Sequence, residues 1–399
     1  MMQTALRTDA NRTTKPEPAE FAQPRPIRVC YLIDNLNHGG TELRLLRLIQ
    51  SHDRHLVEPS LSLLDGTTSA SLELKPATCD VRSWEIHNVR SISTTRKIFE
   101  MARYLRQKRI DVLQLYFRDS MLVGVPAAYL AGVPHVVMNA FNLGYWMTGF
   151  DRWLYRRFAP FVDGMIVNCH AVRDALIAQV NWPREKITVI ENGIDLAAFS
   201  HLTSWTPPVS ATATRQIGMV GNLRAVKDPV TLLKAAAIVN SRHPHARFTI
   251  AGEGELRPEL ERLRSDLGLD GVVDLAGAIA DIPAFLATLD IAVLCSQTEG
   301  MSNAVIEYMA AGRPIIVTDV GGNPELIEHN QSGLLIRPNS PAELAVSIER
   351  LLENPEFAAR MASTAQAEAL RRFNLHSMTR RYENYYAMMC NRPSLNDSK

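Results

Sequence analysis

Glu299 and Glu307 are separated by seven residues in Glu299-Gly-Met-Ser-Asn-Ala-Val-Ile-Glu307, and a Gly-Met-Ser-Asn turn follows the first carboxylate directly. Upstream, the apolar run Asp290-Ile-Ala-Val-Leu-Cys295 predicts a short buried parallel strand. Downstream, Ala304 to Ala311 predicts a helix that Gly312 closes and Pro314 forbids from continuing. Glu299 is then expected at the carboxyl end of the strand, and Glu307 about two turns into the helix. Open α/β sheets bind ligands outside the carboxyl ends of their strands. The leading N–H groups of a helix lack intrahelical acceptors and its dipole attracts anions, so the arrangement suits a phosphorylated ligand with a carboxylate on each side. Acids also favour helix starts for structural reasons alone, so the pair gains meaning only from its surroundings.

Those surroundings repeat the pattern. Asn35-Leu-Asn-His-Gly-Gly-Thr-Glu42 reads as strand, loop and helix, with Gly39 and Gly40 allowing a close backbone approach or an ordinary turn. Val220-Gly-Asn-Leu-Arg-Ala-Val-Lys-Asp228 follows another strand. Its Arg224 and Lys227 can neutralise a diphosphate, the first as a fork and the second as a point charge, or simply lie in solvent. Ala251-Gly-Glu-Gly254 reads mainly as packing punctuation. Gly321-Gly-Asn-Pro-Glu325 can close over phosphates or form a tight turn before a helix. All these loops follow strands, and in one architecture all open on a single cleft.

The elements that must position them alternate strand and helix twice along 399 residues, a length that favours two domains. The first half runs from the strand Ile27–Ile33 and a helix Thr41–Ser51 with Thr41 as N-cap to strands at 164–169 and 187–190. The second restarts at 217 and ends in helices reaching Met389. We expect a polar tail at 1–25, a first Rossmann-like domain at 26–203 and a loop-like linker near 201–214. A second such domain at 215–372 and a C-terminal helix at 373–392 that could cross back to the first would follow. The uncharged stretch Met121–Met138 imitates a membrane span, but Pro126 and Gly132-Val-Pro134 interrupt it, and a helix followed by a buried strand explains it better. Net charge is +1, which gives no bias toward nucleic acid. The 5 cysteines are scattered, with no CxxC pair, which argues against disulfides or zinc and for a reducing, cytoplasmic setting. No Asp-x-Asp and no close His/carboxylate set suggests a metal site, so no metal or other cofactor is expected.

The order of Gly39-Gly40, Glu191-Asn-Gly-Ile-Asp195, Gly221 to Lys227, Ala251-Gly-Glu-Gly254, Glu299 to Glu307 and Gly321-Gly322 resembles family 4 of the retaining glycosyltransferases. The resemblance covers about 27–390 and implies the GT-B fold, two Rossmann-like domains facing a central cleft. It implies that Glu307 hydrogen-bonds the ribose of a nucleotide-sugar and that Glu299 contacts the donor sugar on its reacting side. Backbone N–H groups of Met301, Ser302, Asn303 and Ala304, with Gly300 in the same turn, would hold the donor's sugar and phosphates. Lys227 takes the place of a diphosphate lysine, Gly40 lets the first domain approach the donor, and Ile279 is the expected backbone contact for the base. Many members carry Gly-Arg where this chain has Gly221-Asn222, so Arg224 would supply that cation. Many also carry a His after the strand read at 135–140; here the segment is Asn139-Ala-Phe-Asn142, and Asn142 or Asn139 would donate the hydrogen bond instead.

The implied chemistry is retaining, metal-independent transfer of a sugar from a UDP- or GDP-linked donor to a polysaccharide, oligosaccharide or lipid-linked acceptor. Charge on the departing diphosphate would be stabilised by Arg224, Lys227 and helix N–H groups. A peripheral contact with anionic membrane is expected from Arg96, Lys97, Arg103, Arg106, Lys108, Arg109 and Trp153-Leu-Tyr-Arg-Arg-Phe158, although charged helix faces are commonly just solvated. Two other readings stand beside it: a sugar-nucleotide-binding subunit without turnover, and a sugar-nucleotide epimerase of the same fold.

Overall fold

A computed structural model describes residues 25–207 and 213–392 of the chain. The expected tail lies outside the described residues up to residue 24, as does the middle of the expected linker at 208–212. Arg25 is held, its guanidinium bonding Asp111 at 2.7 and 2.8 Å.

The first half alternates β1 (Ile27–Ile33), α1 (Gly40–Ser51), β2 (Val57–Leu63), α2 (Ser69–Leu74), β3 (Asp80–Ser83), α3 (Ile92–Lys108), β4 (Val112–Tyr116), α4 (Phe117–Ala131), β5 (His135–Ala140), α5 (Gly149–Phe158), β6 (Gly164–Val167), α6 (His170–Val180) and β7 (Ile187–Val189). The second continues with β8 (Arg215–Val220), α7 (Pro229–Arg242), β9 (Ala246–Ala251), α8 (Arg257–Asp266), β10 (Val273–Gly277), α9 (Ile282–Ala287), β11 (Ile291–Leu294), α10 (Asn303–Ala310), β12 (Ile315–Thr318), α11 (Asn323–Leu326), β13 (Leu334–Ile336), α12 (Pro341–Glu353) and α13 (Pro355–Arg372), and α14 (Leu375–Met389) ends it.

Two parallel sheets result, one of 7 strands in the order β3-β2-β1-β4-β5-β6-β7 and one of 6 in the order β10-β9-β8-β11-β12-β13. Parallel pairing needs helical crossovers that cover both faces, which is why β4 and β11 are buried throughout. Each order reverses once, between β1 and β4 and between β8 and β11. Loops leaving the strands at a reversal run to opposite faces and leave a crevice at the carboxyl ends. The loops that carry Gly39-Gly40, Arg224 to Lys227 and Glu299 to Asn303 leave three of those four strands.

Several local expectations change. Thr41 is not the N-cap of α1: the helix starts one residue earlier, with Gly39 at the N-cap and no side-chain cap. Pro126 lies inside α4 rather than breaking it, and the helix ends at Gly132 in the left-handed region. The strand expected to end at Cys169 stops at Val167, and α6 begins at His170. No helix among the described residues is long and apolar enough to cross a membrane. Residues 201–207 have no regular structure but are anchored by Trp205, whose indole donates to Asp290 at 2.9 Å.

The last helix, α14, packs on the first sheet's α1 through a buried polar set. Tyr386 donates to Gln114 at 2.5 Å, Tyr31 pairs with Tyr386 at 3.1 Å, and His52 meets Glu383 at 3.2 Å. Arg44 donates to Tyr382 at 2.7 Å and stacks 4.1 Å over the Phe141 ring. The first strand and the last described helix are thus joined on the same sheet.

Candidate active site

The site is built on the loop from β11 to α10. Glu299 lies five residues beyond the end of the strand, not at it, because Cys295 to Thr298 carry the chain over the sheet edge. Its Oε1 accepts from Ser296 Oγ at 2.6 Å and from Lys227 Nζ at 2.5 Å. The loop from β8 is tied to it again by Gln297 N, which donates to Val226 O at 2.8 Å. The first turn of α10 leaves the N–H groups of Asn303 and Ala304 without intrahelical acceptors, while Ser302 caps it by accepting from Val305 N at 3.5 Å. A carboxylate and an ammonium are therefore paired in the loop that leads into the open start of α10. Glu307 is little more than one turn into α10, not two, because it lies only four positions past the helix start at Asn303. The residue is half-buried, and desolvation pushes its carboxyl up to about 7 while the Arg47 guanidinium of α1 pulls it partly back.

Glycines let this loop sit under the next one. Gly321 has φ +54, and a Cβ there would collide with Glu299 O. Gly322 N donates to Gly300 O at 3.0 Å. Gly252 and Gly254 act in the same way beneath the β8 loop, where Cβ atoms would run into Gly221 O and Leu223 O. That makes the 251–254 turn packing, as its sequence suggests. Ile279 is half-buried in the loop after β10, the edge strand of the second sheet, three strands away from β11. Arg224 is exposed; across the cleft it faces Glu42, whose carboxyl is pushed up by burial and eased by its own N–H and by Arg224.

The first sheet closes over this loop. A Cβ on Gly40 would lie 3.5 Å from Asn303 Nδ2, and one on Gly300 would collide with Phe141 O and lie 3.1 Å from Asn168 Oδ1. Asn192 Nδ2 donates to Met301 O at 3.0 Å and to Asn303 Oδ1 at 2.8 Å. At the cleft's side, His170 N and Ala171 N at the start of α6 donate to Glu325 at 2.9 and 2.7 Å, and Arg372 pairs with Glu191.

Of the asparagines expected to replace a His, Asn139 has its amide nitrogen engaged within the fold, whereas Asn142 has only its oxygen committed. Asn139 is buried, donating from Nδ2 to Leu115 O at 3.1 Å and accepting from Gln114 Nε2 at 3.1 Å. Asn142 commits its Oδ1 to its own loop, accepting from Gly144 N at 2.9 Å and Trp146 Nε1 at 3.0 Å. Both border a small cavity of about 30 Å³ with Thr41, Tyr116, Phe141, Trp146 and Tyr155. Phe117, on the same wall, holds φ +70, a rare conformation for a bulky residue. Sequence reasoning missed Ser296, Arg47 and Asn168, and quoted Glu42, Asn192 and Glu325 within motifs without giving them a role. The signal available was modest: Gly40 and Arg47 lie seven residues apart, on one face of α1.

Among the described residues, no three His, Cys, Asp or Glu side chains are grouped to hold a metal ion. The basic face of α3 is largely engaged within the fold: Arg96 and Lys97 pair with Glu100, Lys108 with Asp80, and Arg106 bonds the carbonyls of Leu130 and Ala131. Exposed aromatic surface of the first domain includes that of α5. There Phe150 and Trp153 stack with ring centroids 5.7 Å apart and are 58% and 53% exposed.

Comparison with known proteins gives this geometry a family. Residues 38–198 match the model of Glycosyltransferase Family 4, and residues 208–368 that of Glycosyl transferases group 1. The chain is 28% identical over 272 residues to the UDP-Gal:alpha-D-GlcNAc-diphosphoundecaprenol alpha-1,3-galactosyltransferase of Escherichia coli, covering 63% of this chain and 69% of that protein. It is 24% identical over 345 residues to a Campylobacter jejuni alpha-1,4-N-acetyl-D-galactosaminyltransferase acting on a PP-undecaprenol-linked saccharide, covering 85% and 93%. Among solved structures, HepE of Anabaena in complex with UDP superposes with a TM-score of 0.78 at 21% identity, covering 91% of this chain and 100% of that one.

Proposed function

The chain belongs to family 4 of the glycosyltransferases, and we propose that it transfers a sugar, with retained anomeric configuration, from a UDP- or GDP-linked donor to a saccharide carried on a lipid or a growing oligosaccharide. The observation that carries the reading is the pairing of Glu299 with Lys227 in the loop that leads into the open start of α10, at the sheet's reversal point. Lys227 and the N–H groups hold the diphosphate and stabilise its charge as it leaves. Glu307 accepts from the ribose hydroxyls. Glu299, fixed by Ser296 and Lys227, orients the donor sugar while the acceptor attacks from the face of departure. Arg224, at the rim, adds a second cation on closure. Gly39 and Gly40 bring the first domain's backbone to the donor, Ile279 lies toward the base, and Asn142 shapes the loop that receives the sugars.

The lipid-linked saccharide acceptors named for two relatives support the acceptor class. They also support work at a membrane, which we place at its cytoplasmic face. The exposed Phe150 and Trp153 of α5, with Arg103 and Arg109 of α3, are the groups available to make that contact. The reaction needs no metal in this reading, because the cations and helix N–H groups do the charge neutralisation.

The test is release of nucleoside diphosphate from a panel of UDP- and GDP-sugars with diphosphate-lipid-linked saccharides, in EDTA. Turnover that needs acceptor, and that Glu307→Ala abolishes, supports the transferase. Donor binding without release under any acceptor would leave the binding subunit, and donor conversion without acceptor would leave the epimerase.

A further inference from the structure

Asn192 stands at the end of the first sheet, just past β7, yet both hydrogens of its carboxamide go to the second domain. Nδ2 donates to Met301 O at 3.0 Å and to Asn303 Oδ1 at 2.8 Å, and its main-chain N lies 3.4 Å from Met301 Sδ. Asn192 is 4% exposed, and its Oδ1 is buried without a partner. Turning the amide over would set that oxygen against two others, so the assigned orientation is the one the surroundings dictate. A buried unpartnered oxygen is a cost that an apolar residue would not carry. The side chain is therefore accounted for by what its nitrogen holds.

What it holds is the peptide that opens the anion site. A trans peptide is planar, with its C=O and N–H pointing opposite ways. Fixing Met301 O fixes the direction of the Ser302 N–H, and fixing Asn303 Oδ1 steadies the first residue of α10. The bonds from Ser296, Lys227 and Gly322 hold the loop up to Gly300, which is pressed between Phe141 O and Gly321-Gly322; Asn192 holds the next peptide. We infer that Asn192 is a positioning residue: the first domain, on closing, reaches across and sets the N–H groups that receive the donor's diphosphate. The anion site of the second domain is complete only when the first is docked on it. This rests on the donor-site reading above and adds a residue that acts on the diphosphate and not on the nucleoside.

The test uses the full chain as wild type, Asn192→Ala, Asn192→Asp and Asn303→Ala, with melting curves to check folding. Ligand-observed NMR and calorimetry measure affinity for UDP and GDP and for uridine and guanosine. Losing two hydrogen bonds to the loop should weaken diphosphate binding by about tenfold or more. Nucleoside binding should stay within about twofold. Asn192→Asp, which keeps the shape but not the donors, should lose at least as much as Asn192→Ala. Asn303→Ala removes one of the two bonds from the other side and should fall between; it carries the test if the Asn192 variants fail to fold. Unchanged diphosphate affinity, or a parallel loss for nucleoside and diphosphate, overturns the clasp while leaving the donor site standing. If wild type binds neither diphosphate, the donor-site reading falls and the clasp with it.

Discussion

Glu307→Gln should make the free protein more stable and the enzyme inactive, with the stability gain growing as pH rises. The carboxyl is desolvated on the cleft side of α10 and its folded-state pKa is about 7, against an ordinary value of 4.5. The folded state thus binds the proton more tightly than the unfolded one. A raised carboxyl pKa favours folding below the unfolded value, and that advantage is lost as pH rises through the folded value. Against an unshifted carboxyl, the ionisation penalty integrates to about 1 kcal/mol at pH 5.5 and about 3 kcal/mol at pH 8. Gln carries no such penalty, so its stabilisation should increase by about 2 kcal/mol between the two pH values. Denaturant melts of both proteins at pH 5.5 and 8, at fixed salt, measure it, and the same samples are titrated with UDP and GDP. The variant should lose the nucleotide response at both pH values. A gain of equal size at pH 5.5 and 8, or none, would refute the reasoning, because the effect must follow the proton. Loss of stability at pH 8 would mean that Arg47 and Glu307 attract more than desolvation costs them.

In wild type, nucleoside diphosphate affinity should rise through about pH 7 as Glu307 ionises to accept from the ribose; Arg47→Ala, by removing the nearby cation, should move that rise to higher pH, as calorimetry across a pH series will show. Lys227→Met should lower kcat on the order of 10²–10³-fold by removing charge stabilisation at the leaving diphosphate, and an effect smaller than about tenfold would reassign that role. Gly300→Ala should lower kcat by more than about tenfold while leaving both sheets intact by circular dichroism, since its Cβ would collide with Phe141 O of the other domain; unaltered kcat would show that this closed contact is not the productive one. Phe150→Ser with Trp153→Ser should reduce co-sedimentation with vesicles containing anionic lipid several-fold without changing turnover of a water-soluble acceptor; unchanged sedimentation would remove membrane contact by that helix.

The second domain's half of the site is legible because its chemistry is local. Glu299, Ser302 and Glu307 lie within one strand-loop-helix unit, and spacing alone places them on one side of a turn. Even Lys227, reached across a separation of 72 residues, sits in a loop that announces itself by position after a strand. The first domain's half is different in kind. Asn192 meets Met301 across 109 residues, and His170 at the start of α6 meets Glu325 across 155. Each is an ordinary residue in its own segment: an asparagine past a short strand, two backbone N–H groups at a helix start. Local pattern also fails where an element has little burial to impose a period. β3 is an exposed edge strand of 4 residues and α2 has 6, so neither writes a repeat into the chain. Asn139 shows the converse. Its residue type suits a substrate hydrogen bond, but it is buried, its amide donates to Leu115 O and accepts from Gln114 Nε2, and the nearer demand is met first. In a two-domain cleft the groups proposed to bind the donor can thus be read from one domain's motifs, whereas the groups proposed to aim them are distributed over strand ends. Asn192 has such a place: its partners, Met301 and Asn303, lie across the cleft in the other domain.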